Sequence, residues 1–259
     1  MPTQPKVIVS LTSFPEAIPF AVPAIQSILG GNILPDKIVL YLTFSQFPDS
    51  KIPHNLQELA NKNPIFEIRN YDEDIRSYRK LIPALKDFPN AIIVTVDDDV
   101  LYHKNMLCDL LQLHKKIPNV IIAHRAKEIK LNAPYRKWKK YRWYHFLTKK
   151  LNFSFKNIQT GVGGVLYPPN SLNREMLDSK IFKEIAPTTD DIWFWAAAVA
   201  NGTKIMPFPF GKYNKPRGLG KPKKLSLKTV NFKTGTDLNR AAFEKILEKY
   251  PIVKERINE

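Results

Sequence analysis

AIIVTVDDD, residues 91–99, decides how the rest of the chain is read. Ala91–Val96 is as apolar as a central parallel strand, buried on both faces, must be. Three carboxylates, Asp97, Asp98 and Asp99, follow at once. In a parallel sheet, ligands bind beyond the carboxyl ends of the strands, where this triplet falls. Like charges this close repel one another. A hard cation offsets that cost, and the oxygen ligands suit Mg²⁺ or Mn²⁺. Strand alternation, continued past Val96, puts Asp97 and Asp99 on one side and Asp98 on the other. Two carboxylates on one side are enough to hold one metal ion and a diphosphate. The plain alternative is an exposed acidic turn.

Around this stretch the first half alternates two kinds of segment. Lys6–Thr12, Lys37–Thr43, Ile65–Asn70 and Val120–His124 read as strands. Ala17–Leu29, Pro53–Asn63, Ser77–Leu85 and Lys104–Lys116 have helical spacing, with Gly30-Gly31 as a stop and Ser77 as an N-cap. This alternation predicts an α/β fold, a mainly parallel sheet with helices on both faces. The second half is less regular. Thr160–Pro168 reads as a Gly-rich turn and a short strand, Asn170–Glu184 and Asp190–Ala200 as helices, and Lys204–Phe210 as a strand. Residues 211–235 read as a long loop, and Asp237–Tyr250 as a helix capped by Asp237. With no repeat and no clear linker, residues 1–259 are expected to form a single domain.

The chain has 259 residues, 44% hydrophobic and 25% charged, which excludes a fully disordered or collagen-like protein. The lone Cys108 excludes an intrachain disulfide and a cysteine zinc cluster. The net charge of +16 is lopsided: residues 1–120 carry 12 basic and 13 acidic side chains, residues 121–259 carry 28 and 11. Such a field attracts phosphate, nucleic acid or an anionic membrane. Arg136–Lys150 (RKWKKYRWYHFLTKK) holds seven cations and five aromatics, a mixture suited to a membrane interface. It equally describes a solvated face with aromatic core residues. Lys212–Lys228 is a second basic stretch, fit to close over a diphosphate. The start of the chain does not read as a signal peptide, and the apolar run Ile192–Ala200 is too short to span a bilayer.

Three further groups carry chemistry. Asp190-Asp191 opens a helix-like run containing Trp193 and Trp195; its plain reading is a helix cap. Thr160-Gly161-Val162-Gly163-Gly164 lacks the spacing of a phosphate loop, and its glycines let a backbone approach a sugar closely. Arg76, Arg79 and Lys80 follow Asp72-Glu73-Asp74, a pattern that ordinary helix pairing also produces.

Taken in order, these segments resemble the GT-A type of nucleotide-sugar glycosyltransferase, in particular bacterial polysaccharide and lipopolysaccharide members. Asp97-Asp98-Asp99 matches the Asp-X-Asp motif. Val9–Ile18 (VSLTSFPEAI) looks like the first strand and donor-base loop, and Asp74–Leu85 (DIRSYRKLIPAL) like the donor-contacting stretch. Thr160–Pro169 (TGVGGVLYPP) resembles the acceptor-side Gly-rich loop, and Thr188–Phe194 (TTDDIWF) the acidic pair that supplies the base.

The resemblance implies a Rossmann-like GT-A fold, with a nucleotide-sugar-binding half over about 1–125 and an acceptor-binding half over about 126–259. Asp99 is implied as metal ligand for Mn²⁺ or Mg²⁺. Asp97 serves as a second ligand or touches donor hydroxyls, and Asp98 shares either task. Thr12, Ser13, Arg79 and Lys80 are implied as donor contacts. Asp191 is implied as general base of an inverting displacement, with Asp190 beside it. Gly163, Gly164 and Trp193 are implied on the acceptor side. Several metal-dependent members add a late histidine ligand, whereas none of the five histidines here lies beyond His145. The implied reaction moves a hexose, by resemblance galactose, from a UDP-sugar to a glycan, lipid-linked or of lipopolysaccharide type. The expected setting is the cytoplasm, against the anionic inner face of the plasma membrane, with no nucleic-acid partner. The competing readings are a metal-dependent phosphoesterase or nuclease, and a non-enzymatic anion-binding module.

Overall fold

In the computed structural model, residues 5–148, 151–211, 214–225, 229, 231 and 237–259 are described. Parts of the expected 211–235 loop, of the Lys212–Lys228 stretch and the last two residues of Arg136–Lys150 therefore lie outside the described residues. The strands are β1 (Val7–Thr12), β2 (Lys37–Leu42), β3 (Phe66–Asn70), β4 (Ile92–Thr95), β5 (Val100–Leu101) and β6 (Ile121–Ala123). They continue with β7 (Ala126–Glu128), β8 (Lys139–Lys140), β9 (Asn157–Gln159), β10 (Val165–Tyr167), β11 (Ile205–Pro207) and β12 (Arg217–Gly218). Seven of them form one sheet in the order β11-β6-β10-β4-β1-β2-β3. β4, β1, β2 and β3 are parallel, β11 is parallel to β6, and β10 runs antiparallel between β4 and β6. The expected α/β architecture is present.

Helices cover both faces: α1 (Ile18–Leu29), α2 (His54–Lys62), α3 (Ile82–Asp87), α4 (Met106–Lys116), α5 (Ser179–Ile185), α6 (Asp190–Ala200), α7 (Leu238–Lys249) and α8 (Pro251–Arg256). Strand alternation assigns the two cores. Ile8, Val39 and Ile93 pack with Tyr78, Phe182, Phe194 and Phe243 on one side. Val9, Leu40 and Val94 pack with Ile25, Leu56 and Leu110 on the other. α6 is buried from Ile192 to Val199 on every side, which is why its apolar run shows no amphipathic face. Among the described residues no helix is long and apolar enough to cross a membrane.

Local departures from the sequence reading have physical causes. The expected helix Ser77–Leu85 is two pieces, a 3-10 turn over Arg76–Lys80 and then α3 with Pro83 in its first turn. Ser77 lies inside the turn and does not cap it. Ser10, fully buried in β1, donates from Oγ to the Lys80 carbonyl at 2.6 Å and pins this turn over the sheet. The Tyr78 ring stacks on Phe182 at 4.0 Å and 8°, which ties the same turn to α5. The expected helix Asn170–Glu184 is confined to a 3-10 turn, Glu175–Leu177, and α5. α7 is capped as expected: Asp237 Oδ1 accepts from the Arg240 backbone N–H at 3.1 Å.

Candidate active site

Residues 97–99 lie beyond the end of β4, and the chain turns there before β5. The expected alternation survives in burial, with Asp98 buried and Asp97 and Asp99 partly exposed, but the lysines that pair with the three carboxylates divide them differently. Asp97 faces Lys80, with 3.1 Å from Lys80 Nζ to Oδ1. Asp98 and Asp99 share a cation instead: Lys221 Nζ is 2.8 Å from Asp98 Oδ1 and 3.3 Å from Asp99 Oδ2. The Asp98 Oδ2 accepts from Ser13 Oγ at 2.6 Å. The Asp97 backbone N–H donates to the Tyr102 hydroxyl at 2.7 Å, which fixes the start of the turn.

Burial separates frame from surface. Asp98, Ser13 and Arg79 are buried. Arg79 donates from Nε to Thr12 Oγ1 at 2.8 Å, from Nη2 to the Ser13 carbonyl at 3.0 Å, and from Nη1 to Thr43 Oγ1. It braces the loop after β1 rather than presenting its guanidinium outward. The carboxylates of Asp97 and Asp99 are 24% and 31% exposed, so these two open to solvent. A cavity of about 290 Å³ opens beside Asp99, walled by Val162, Pro216, Leu219 and Lys221. Lys221 is held there by backbone pairing. β12 pairs antiparallel with β5, and the Leu219 N–H donates to the Asp99 carbonyl at 2.8 Å. The expected loop thus carries a short ribbon that fastens its lysine to the acidic turn.

The second acidic pair arrives from α6. Asp190 Oδ2 is 3.1 Å from Lys80 Nζ, so a single ammonium bridges Asp97 and Asp190. Burial alone would drive Lys80 toward the neutral amine, but Asp190, Asp97 and Asp191 outweigh it and hold its pKa well above the ordinary value. Asp191 Oδ1 accepts from the Gly161 backbone N–H at 3.0 Å. Its pKa is raised to about 7, chiefly by burial and then by the charge of Asp190, with Lys80 pulling the other way. Burial also raises Asp98, against the opposing pull of Lys221. Lys221 itself is raised, because Asp98 and Asp99 outweigh its desolvation. Among the described residues no three His, Cys, Asp or Glu side chains are grouped to hold a metal ion.

The glycines sort unexpectedly. A Cβ on Gly161 would lie 2.6 Å from Lys80 Nζ and 2.8 Å from Asp97 Oδ1, so this glycine faces the charged cleft. Gly163 and Gly164 take φ of +106° and +101° and press against Phe210 and Met106, so they shape the loop from behind. Trp193 is fully buried, with Nε1 donating to the Met176 carbonyl at 2.6 Å, and is core, unable to stack on a sugar. Trp195 is equally buried. The structure thus brings together Thr12, Ser13, Arg79, Lys80, Asp97, Asp98, Asp99, Asp190 and Asp191. It separates off Trp193 and turns Gly163 and Gly164 away. It adds Gly161, Thr43, Tyr102 and Lys221. Of these, two left a trace in the sequence: Gly161 as part of the Gly-rich stretch, and Lys221 as part of the basic stretch expected to close on a diphosphate.

No protein-family model matches the sequence, and no curated protein sequence is significantly similar to it. Among solved structures, the chain is similar to a mannosyltransferase from Pyrobaculum calidifontis, PcManGT, solved in complex with GDP-Man and Mn²⁺. The identity is 14% and the TM-score 0.56, over 98% of this chain and 74% of that one. The shared property is the fold, a GT-A-like arrangement of a mostly parallel sheet flanked by helices.

Proposed function

We propose that this protein is a nucleotide-sugar glycosyltransferase that moves a hexose to a glycan hydroxyl with inversion at the anomeric carbon. The observation that carries the reading is the bridging ammonium of Lys80, which joins the acidic turn after β4 to the acidic start of α6. A transferase needs two acidic stations side by side, one for the donor diphosphate and one for the acceptor proton. In this reading residues 1–125 bind the donor and residues 126–259 the acceptor. Asp191 accepts the hydroxyl proton, and its raised pKa matches a base that works near neutrality. Asp190 orients sugar hydroxyls. As the acceptor oxygen bonds to the anomeric carbon, the bond to the diphosphate oxygen breaks and the electron pair leaves with the diphosphate. Lys80 and Lys221 meet that charge. Arg79 acts by holding Thr12 and Ser13, and Gly161, rather than Gly163 or Gly164, gives the close backbone approach.

The residues present also fit a divalent cation. Asp99 and Asp97 are hard, partly exposed oxygen donors on the rim of the cleft. Mg²⁺ and Mn²⁺ sites of this kind use one or two carboxylates and complete the shell with water and phosphate oxygens, so a late histidine is not required. Held by these two residues, the ion would supply charge neutralisation to the leaving diphosphate.

The donor in this reading is a UDP-hexose, with galactose as the sugar. GDP-mannose is the second reading, favoured by the ligand of the solved mannosyltransferase. The acceptor is a lipid-linked or lipopolysaccharide-type glycan at the cytoplasmic face of a bacterial plasma membrane. The test is nucleoside diphosphate release across a panel of UDP- and GDP-sugars with Mn²⁺ and a lipid-linked glycan acceptor. Asp191→Asn is expected to lower turnover by about 100- to 10,000-fold, the share a general base supplies, while nucleotide binding persists. Full activity in that variant removes the assigned base. Cleavage of a simple phosphodiester, without sugar transfer, would establish the phosphoesterase reading instead.

A further inference from the structure

Eight large hydrophobic side chains are exposed among the described residues, and five of them, Trp143, Tyr144, Phe146, Leu147 and Phe153, fall in one stretch. Scattered exposed apolar residues are ordinary; a cluster of this kind marks an interaction surface. The cluster rests on the β11 edge of the main sheet. Phe146 meets Phe208 edge-on at 5.5 Å, Ser154 bridges to Ile205, and Lys204 Nζ lies 5.9 Å from the Phe153 ring centre. Leu147 is 77% exposed, the most open of the set. Cations lead into it along the chain: Lys137, Lys139 and Arg142 are exposed and form no ion pair among the described residues.

We propose that this face docks the protein on an anionic phospholipid surface, with the apolar side chains in the headgroup zone and the cations against lipid phosphates. Charge complementarity selects the partner, since the surplus of cations sits in residues 121–259. Rings and leucine among lysine and arginine form the side-chain set of an interfacial anchor. The surface also backs the candidate site. Phe208 and Phe210 both stack on His124, at 5.6 and 4.2 Å, and Phe210 closes against Gly163. A docked face therefore connects, ring by ring, to the rear of the Gly-rich loop, so that docking is coupled to the loop that carries Gly161. The docking claim stands on the patch alone; only the functional meaning of this coupling rests on the transferase reading.

Vesicles test it without any turnover. Trp143 is exposed, whereas Trp138, Trp193 and Trp195 are buried, so a change in tryptophan emission reports this face. Adding phosphatidylglycerol to phosphatidylcholine vesicles should shift the emission to the blue and sediment the protein. Each cation at an anionic surface strengthens binding by roughly fivefold, so reversing three should weaken it by at least about 100-fold. The variant is Lys137→Glu/Lys139→Glu/Arg142→Glu. Tyr144→Ser/Leu147→Ser/Phe153→Ser should also lose binding, and Trp143→Phe should lose the signal while still sedimenting. Unchanged melting curves show that each variant is folded; a variant that fails this is replaced by its single substitutions. Absence of sedimentation, equal binding by the charge variant, tighter binding to an oligonucleotide, or burial of the patch in a stable dimer would each overturn the proposal.

Discussion

In the proposed reading Asp191 is the general base, and its environment makes a pH prediction with a definite sign. Its pKa is raised to about 7 by burial and by Asp190. A base works only when deprotonated, so kcat/KM should climb with pH through about 7 and then level. The effect on stability has the opposite slope. A carboxyl that binds its proton more tightly in the folded chain favours folding below its unfolded pKa, near 4, and loses that contribution as pH rises through about 7. Asp191→Asn should therefore melt higher than the parent at pH 8, with the gap closing toward pH 4; a constant gap would remove the pKa argument. Gly161 gives the second prediction at this scale. Gly161→Ala places a methyl against the flexible ends of Lys80 and Asp97, so the protein should fold normally yet lose most of its nucleotide affinity. Normal affinity would show that the cleft does not depend on this close approach.

The ribbon of β12 on β5 makes a prediction of its own, because it carries Lys221 to Asp98 and Asp99. Lys221→Met leaves Asp98 buried with Ser13 as its remaining partner, at a cost of about 3 kcal/mol. It also frees Asp99. Mn²⁺ alone should then raise the melting temperature of the variant more than that of the parent, and equal shifts would argue that Asp99 is no cation ligand. This pairing also marks the limit of what the elements disclose in advance. β1, β2 and β4 were legible because each is a nearly continuous apolar run, and α7 because Asp237 caps it. The sharing of the acidic triplet between Lys80 and Lys221 was not, because both lysines arrive from elements distant in the chain. Periodicity marks Trp193 as apolar, but only the packing of α6 against Met176, Phe182 and Tyr250 decides that it is core. Spacing likewise cannot choose among Gly161, Gly163 and Gly164, since the choice depends on where Phe210 and Met106 arrive from distant elements.

At the scale of the whole molecule, the fold gathers its acidic machinery at one end of the sheet while its surplus of positive charge lies in residues 121–259. The order β11-β6-β10-β4-β1-β2-β3 sets the ends of β4 and β1 side by side, so the Asp97–Asp99 turn and the Thr12–Ser13 loop share one cleft. α6, packed in the core on one face of the sheet with Ile8, Val39 and Ile93, delivers Asp190 and Asp191 to it. The central claim is that this cleft receives a nucleoside diphosphate sugar with a divalent ion. The most direct measurement is the melting temperature with UDP, GDP, CMP and dTDP, each with and without Mn²⁺. A nucleotide at 100 times its dissociation constant contributes about 2.7 kcal/mol, an easily resolved shift. The account predicts stabilisation by UDP or GDP that requires Mn²⁺ and disappears in Asp99→Ala. No shift with any nucleotide, or a shift that survives Asp99→Ala undiminished, would contradict it.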